Sequence, residues 1–138
     1  MDFEKLVAAA GDAIVVADPQ GRILVWNPAA ERLFGFTADE ALGRSLDLII
    51  PERFRQRHWE GYEKVMRSGE TRYGDQVLRV PALRKDGRPL SIAFTVALLK
   101  DANGRVESIA AIVRDDTERW NEERNLKKRL AELEGRTK

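Results

Sequence analysis

The chain has 138 residues, 43% of them hydrophobic, and is long enough to bury one continuous core. Its 24 basic and 23 acidic side chains nearly cancel, which gives no reason to expect nucleic acid or a membrane as partner. The absence of cysteine excludes disulfides and thiolate chemistry, and the single histidine, His58, excludes multi-histidine metal clusters within one chain. With neither a membrane-length apolar run nor a secretory leader, the sequence predicts a cytoplasmic protein.

The first part of the chain predicts a flanking helix followed by a hairpin. Residues 2–10 place apolar side chains on one side of a helix that Gly11 ends. Two short apolar runs, Ala13–Ala17 and Arg22–Trp26, are joined by a segment rich in turn-forming residues. This pattern is typical of a β-hairpin.

Short helices with recognisable start residues come next. Asn27 can cap a helix whose first residue is Pro28 and which Gly35 ends. Thr37 and Glu40 have the spacing of a capping box and predict a second short helix. We expect these helices to cover one face of a sheet.

A longer helix is predicted from Pro51 to Gly69. At about 100° per residue its apolar members share one arc. His58 belongs to that arc and is expected to point inward. The members of the arc are Phe54, His58, Tyr62 and Val65.

After this helix the pattern changes to the two-residue period of strands. We predict strands at Tyr73–Leu83, Pro89–Leu99 and Arg105–Arg114, separated by turns that contain glycine. Pro81 cannot donate a ladder hydrogen bond and indicates an edge strand or a bulge.

The chain ends in a charged helix that Thr117 is expected to cap. Leu126, Leu130 and Leu133 follow the 4-3 spacing of a coiled coil. We therefore predict an α+β domain with a five-stranded antiparallel sheet and helices on one face. Residues 1–11 would form a flanking helix, 12–116 the domain and 117–138 a C-terminal signalling helix.

Four stretches, Trp26–Gly35, Glu40–Arg44, Arg84–Gly87 and Asp115–Arg119, stand in an order and spacing that resembles the PAS domain family. The resemblance covers roughly residues 12 to 119. It implies the PAS fold and a bacterial sensor without enzymatic activity, in which a pocket between sheet and helices holds a small ligand. It also implies a homodimer formed through the flanking helices.

The resemblance further implies that an exit helix passes the state of the pocket to an effector. In two-component and related systems this is a histidine kinase, a nucleotide cyclase or a transcription regulator, in cis or in trans. Asp115, Thr117 and Arg119 match the family's exit motif and are expected to join the last strand to the helix, whereas Asp116 replaces a residue that is usually apolar. Trp120 is expected to pack against the domain or a partner chain.

The segment from Pro51 to His58 is similar to the haem-binding helix of oxygen-sensing PAS domains from rhizobial nitrogen-fixation kinases. The resemblance implies haem b, with His58 as the ligand of the iron. It assigns Lys64 and Arg72 to the haem propionates. A lone histidine on an apolar helical face is more often a packed or hydrogen-bonded residue than a ligand. This alternative leaves an organic ligand, flavin without a cysteine adduct, or an empty pocket in an interaction module.

The opposite wall of the pocket is assigned to the strands. Phe94 and Val96 occupy positions of apolar wall residues, and Tyr62 lines the same site from the helix. Leu78 stands where the oxygen sensors have an arginine, and Arg79 is one residue away. Since neighbouring residues of a strand point to opposite faces, Arg79 would reach the pocket only through a bulge.

Overall fold

A computed structural model describes residues 1–71 and 73–136 of the chain. Five antiparallel strands form one sheet in the order β2-β1-β5-β4-β3. One helix precedes the sheet, a group of helices connects its two halves, and one helix follows the last strand. In chain order the elements are α1 Phe3–Ala9, β1 Ala13–Ala17, β2 Ile23–Trp26, α2 Pro28–Phe34, α3 Ala38–Ala41, a 3-10 helix Leu46–Ile49, α4 Glu52–Ser68, β3 Leu78–Leu83, β4 Pro89–Lys100, β5 Val106–Asp115 and α5 Thr117–Arg136.

This is the predicted α+β architecture, with corrections to the strand bounds: β4 ends one residue later than predicted, β5 is shifted by one residue, and β3 and β2 begin later. The strand expected at Tyr73–Leu83 begins only at Leu78, because Tyr73 starts a turn in which its carbonyl accepts a hydrogen bond from the N–H of Gln76 at 2.9 Å. β2 begins at Ile23, because Arg22 forms an isolated bridge with Ser45.

Pro81 lies on β3, which is an edge strand as predicted. β3 pairs with β4 in continuous register, from Leu78 opposite Phe94 to Leu83 opposite Pro89. The missing N–H of proline is therefore accommodated at the edge without a bulge.

The core lies between the sheet and the helices α2 and α3. Phe34, at the end of α2, is fully buried and packs against Trp26 of β2 with ring centroids 5.3 Å apart. Asn27 connects this core to the N-terminus: its side chain accepts from the N–H groups of Ala30 and Ile14 and donates to the carbonyls of Val7 and Asp12. A buried side-chain amide is thereby fully hydrogen-bonded.

The turn between β3 and β4 is tied to α3 by an ion pair between Lys85 and Glu40. Glu40 also completes the capping box with Thr37. The hydrogen bond from Lys85, followed by that from the Thr37 N–H, lowers the pKa of Glu40 from 4.5 to about 2.

Because folding lowers this pKa, the stabilisation by Glu40 is fully present above its unfolded value and is lost as the pH falls toward 2. We expect the loss of unfolding free energy in Glu40→Gln to shrink between about pH 6 and about pH 3, since Gln keeps the capping box but not the charge. Urea unfolding measures it, with the neighbouring Asp39→Asn as control. A difference that stays constant with pH would contradict the assignment.

Within the described residues, the length and apolarity needed to cross a membrane are not combined in any helix.

Candidate functional site

Helix α4 directs one stripe of side chains toward the rest of the domain. Its half-buried residues follow the predicted arc and its flanks, while no residue of the helix is fully buried. α4 is therefore a lightly packed cover. The half-buried members are Phe54, Arg55, His58, Trp59, Tyr62, Val65 and Met66.

The helix is held by aromatic side chains that reach the turn between β1 and β2 and the 3-10 helix. The indole N–H of Trp59 donates to the carboxylate of Asp47 at 2.7 Å, and the Tyr62 hydroxyl donates to the carbonyl of Asp18. The Trp59 ring also lies directly against Gly21. This anchoring cluster is not predicted by the sequence pattern, although Trp59 flanks the apolar arc and Gly21 lies in the turn between β1 and β2.

Burial, assisted by the nearby negative charge of Asp18, raises the pKa of Tyr62 to about 12. The phenol, which is protonated at neutral pH in any case, therefore stays protonated to higher pH as a hydrogen-bond donor to the turn. Tyr62 lies on the predicted inner arc, but the atom that could contact a polar ligand is already bonded to the protein.

His58 lies between these anchors. Its ring is 4.6 Å from that of Trp59 and 5.6 Å from that of Tyr62, measured between centroids. Its Nδ1 atom is buried without a hydrogen-bond partner. Burial lowers the pKa of His58 even though the Asp47 carboxylate acts in the opposite direction, so the imidazole is neutral and one nitrogen is unused.

The strand residues fall on the faces that register assigns them. Phe94 and Val96 share the face of the buried core residue Ile92, and Leu78 is paired with Phe94. All three assigned wall residues are half-buried. Arg79 points to the other face, because β3 has no bulge, and pairs there with Asp116 at 3.5 Å.

The structure describes one of the two basic residues that were assigned to the propionates. Lys64 is exposed on α4, and Arg72 lies outside the described residues. Two surface grooves, of about 370 and 340 Å³, lie elsewhere: the first beside Asp12 and Arg114, the second beside Asp47 and Arg55. Neither groove is lined by His58. Among the described residues, no group of three acidic or histidine side chains could hold a metal ion.

The exit segment joins the sheet through contacts that differ from those expected. Asp115 accepts a hydrogen bond from the Thr117 N–H at 2.9 Å. Thr117 does not cap α5 but lies within it, and its hydroxyl accepts from the N–H of Ser91 on β4 at 3.0 Å. Thr117 thus connects α5 to the sheet, because its hydroxyl is hydrogen-bonded to a strand.

Arg119 was expected, like Asp115, to tie the strand end to the new helix, and its side chain pairs with two carboxylates. Its guanidinium lies 3.6 Å from Asp116 and 2.8 Å from Glu123. Trp120 is 47% exposed, and the only neighbour that stacks on its ring among the described residues is Arg124, at 5.3 Å. Its packing against the domain is therefore slight.

A five-stranded antiparallel sheet, covering helices and a helix that continues from the last strand form the architecture of a small α+β sensory domain. The family model described as the PAS fold matches residues 1–115, and the chain belongs to the PAS family.

Two curated relatives are sensors. The chain is 30% identical to the sensor protein FixL of Bradyrhizobium diazoefficiens over 88% of this chain and 24% of that protein. It is 29% identical to the oxygen sensor protein DosP of Escherichia coli over 73% of this chain and 12% of that protein. The chain thus spans at most a quarter of either relative.

A solved structure supports the fold. The PAS domain of a protein from Colwellia psychrerythraea superimposes with a TM-score of 0.73 at 24% identity, over 84% of this chain and 95% of that one. The confirmed expectations are therefore the family, the fold and a sensory role.

Proposed function

We propose that this PAS domain binds haem b through His58 and passes the state of the haem through α5 to an effector in the cytoplasm. The observation that carries the proposal is the buried Nδ1 of a neutral imidazole without a hydrogen-bond partner. Buried polar atoms are nearly always paired, so an unpaired one calls for an explanation. In this proposal residues 12–116 are the sensor, and residues 1–11 and 117–138 are its flanking helices.

The chemistry of the surrounding residues fits such a group. A neutral imidazole can donate a lone pair to iron, and Leu78, Phe94 and Val96 supply an apolar wall from the sheet. Haem, when bound, supplies an iron that binds diatomic gases or changes its redox state. Lys64 and Arg72 remain the basic residues proposed for the propionates.

Access to His58 involves α4. The helix has no fully buried residue and is held chiefly by polar contacts at the β1–β2 turn and the 3-10 helix. Such a cover can move outward without exposing a fully buried side chain of its own. We therefore propose that ligand entry displaces α4 from the β1–β2 turn and the 3-10 helix.

The proposal is tested by adding hemin to purified protein and recording the absorbance spectrum. We expect a Soret band that saturates at one hemin per chain. Protein that is colourless as isolated and takes up no hemin would contradict haem binding and leave the organic-ligand or empty-pocket alternatives.

The second candidate function is a homodimeric interaction module, and exposed apolar side chains on the flanking helices favour it. Leu126, Leu130 and Leu133 of α5 are 62%, 58% and 57% exposed, and Phe3 and Leu6 of α1 are 71% and 58% exposed. Leucines at d, a and d positions of a heptad form the seam of a coiled coil. A second copy of the chain would bury this seam.

Charges beside the seam favour a parallel pair. In the same heptad, Glu122 and Arg129 are g residues, while Lys127 and Glu134 are e residues. A parallel dimer brings each g residue to the e residue five positions later on the other copy, which pairs glutamate with lysine and arginine with glutamate. An antiparallel pair that stacks Leu126 of one copy on Leu130 of the other would instead place the two Arg129 side chains next to each other.

We expect Leu130→Glu to weaken the dimer at least about tenfold, because it places a charge in the seam. Sedimentation equilibrium measures the effect, with Leu42→Glu, a change at an exposed leucine that follows α3, as control. The cysteine-free chain also allows Leu133→Cys, which should form a disulfide between copies only if the helices are parallel. A dimer unaffected by Leu130→Glu would exclude α5 as its main contact.

A further inference from the structure

Asp116 connects three elements where the sheet passes into the exit helix. Its side chain is only 12% exposed, and its carboxylate lies 3.5 Å from Nε of Arg79 on β3 and 3.6 Å from Nη1 of Arg119 on α5. Its backbone N–H donates to the carbonyl of Ser91 on β4 at 2.7 Å. One residue thus joins the edge strand, the neighbouring strand and the first turn of α5.

The arginine from β3 links this junction to the opposite face of the same strand. Arg79 follows Leu78, which is paired with Phe94 on the inner face. A displacement of β3 at the inner wall therefore also moves the guanidinium that faces Asp116. Any ligand that shifts the wall would change the separation of this ion pair.

The ion pair is placed where its loss affects the helix. A largely buried carboxylate is unfavourable without a partner, and Arg119 cannot compensate fully because it also holds Glu123 at 2.8 Å. In the first turn of α5, the backbone N–H of Trp120 donates a hydrogen bond to the carbonyl of Asp116 at 3.0 Å. Asp116 therefore both carries the charge at the junction and accepts a backbone hydrogen bond of the first turn of α5.

We propose that Asp116 is a positioning residue through which the position of β3 controls the stability of the first turn of α5. The proposal rests on the sensory function proposed above, in which β3 lines the site beside His58. An apolar residue in this position would pack at the junction but could not pair with an arginine on β3. The coupling is therefore a property of the aspartate.

Hydrogen exchange of the amides of residues 120–124, in protein without added ligand, tests the coupling. Arg79→Gln should accelerate this exchange roughly three- to tenfold in the wild-type background. In an Asp116→Ile background, where the charge is absent, the same Arg79→Gln change should have no further effect. A purely structural loss at β3 would accelerate exchange in both backgrounds.

Arg88→Gln is the matched control, because Arg88 belongs to the same β-hairpin but pairs with Asp86 in its turn. It should leave exchange in α5 unchanged. If Asp116→Ile does not fold, Asp116→Asn gives the same comparison at nearly unchanged volume. Equal acceleration by Arg79→Gln in both backgrounds, or none in either, would overturn the proposal. Since no hemin is added, this result is independent of haem binding.

Discussion

Gly21→Ala should lower the free energy of unfolding by about 2 to 5 kcal/mol, because it combines backbone strain with a steric overlap. Gly21 has φ of +80°, a left-handed conformation that side chains disfavour. A Cβ atom placed there would overlap the Trp59 ring, which is fixed by its hydrogen bond to Asp47. Urea unfolding monitored by circular dichroism measures the loss.

Gly43 offers a matched control for this prediction. It has nearly the same φ, +81°, but a Cβ atom there would meet nothing within 4 Å. Gly43→Ala should therefore cost only the backbone term, about 1 to 2 kcal/mol. In a Trp59→Ala background Gly21→Ala should cost no more than this. An undiminished cost without the indole ring would show that the overlap is not the cause.

The consequence reaches the candidate site, because Trp59 follows His58 on α4. If the added methyl group pushes the indole away from position 21, the contact between α4 and the β1–β2 turn is weakened. Glycine at this turn thus serves the placement of the histidine as well as the turn itself.

Local signals in the sequence predicted most of the helices. α2 follows Asn27 and ends before Gly35, α3 follows the capping box of Thr37, and α4 ends before Gly69, each as predicted. These boundaries are set by backbone hydrogen bonds and dihedral angles within a few residues, which is why sequence alone is sufficient.

Contacts between distant residues could not be predicted in the same way. Trp59 lies against Gly21 and Arg79 pairs with Asp116 only because the sheet order brings these segments together. The replacement of an apolar residue by Asp116 was visible in the sequence, but its partner on β3 was not. Likewise, Thr117 has the residue type of a cap, yet the neighbouring N–H of Ser91 uses its hydroxyl.

His58→Ala should abolish the Soret band that hemin gives to the wild-type protein. His58 is the only histidine in the chain, so no other imidazole can replace it. Added imidazole should restore the band by entering the space left by the side chain. Glu63→Ala, on the exposed side of the same helix, and Tyr62→Phe, which removes only the hydroxyl bonded to Asp18, should both retain it. Absorbance titrations with hemin provide the comparison.

A loss of the band has to be separated from a loss of folding, and the unpaired nitrogen makes this possible. Because Nδ1 of His58 is buried without a partner, an apolar ring in its place removes an unsatisfied polar atom. His58→Phe should therefore keep or raise the free energy of unfolding of the ligand-free protein, by up to about 2 kcal/mol, while it abolishes the band. A folded His58→Phe protein that binds hemin with an unchanged spectrum would show that the imidazole is a packing residue and not a ligand.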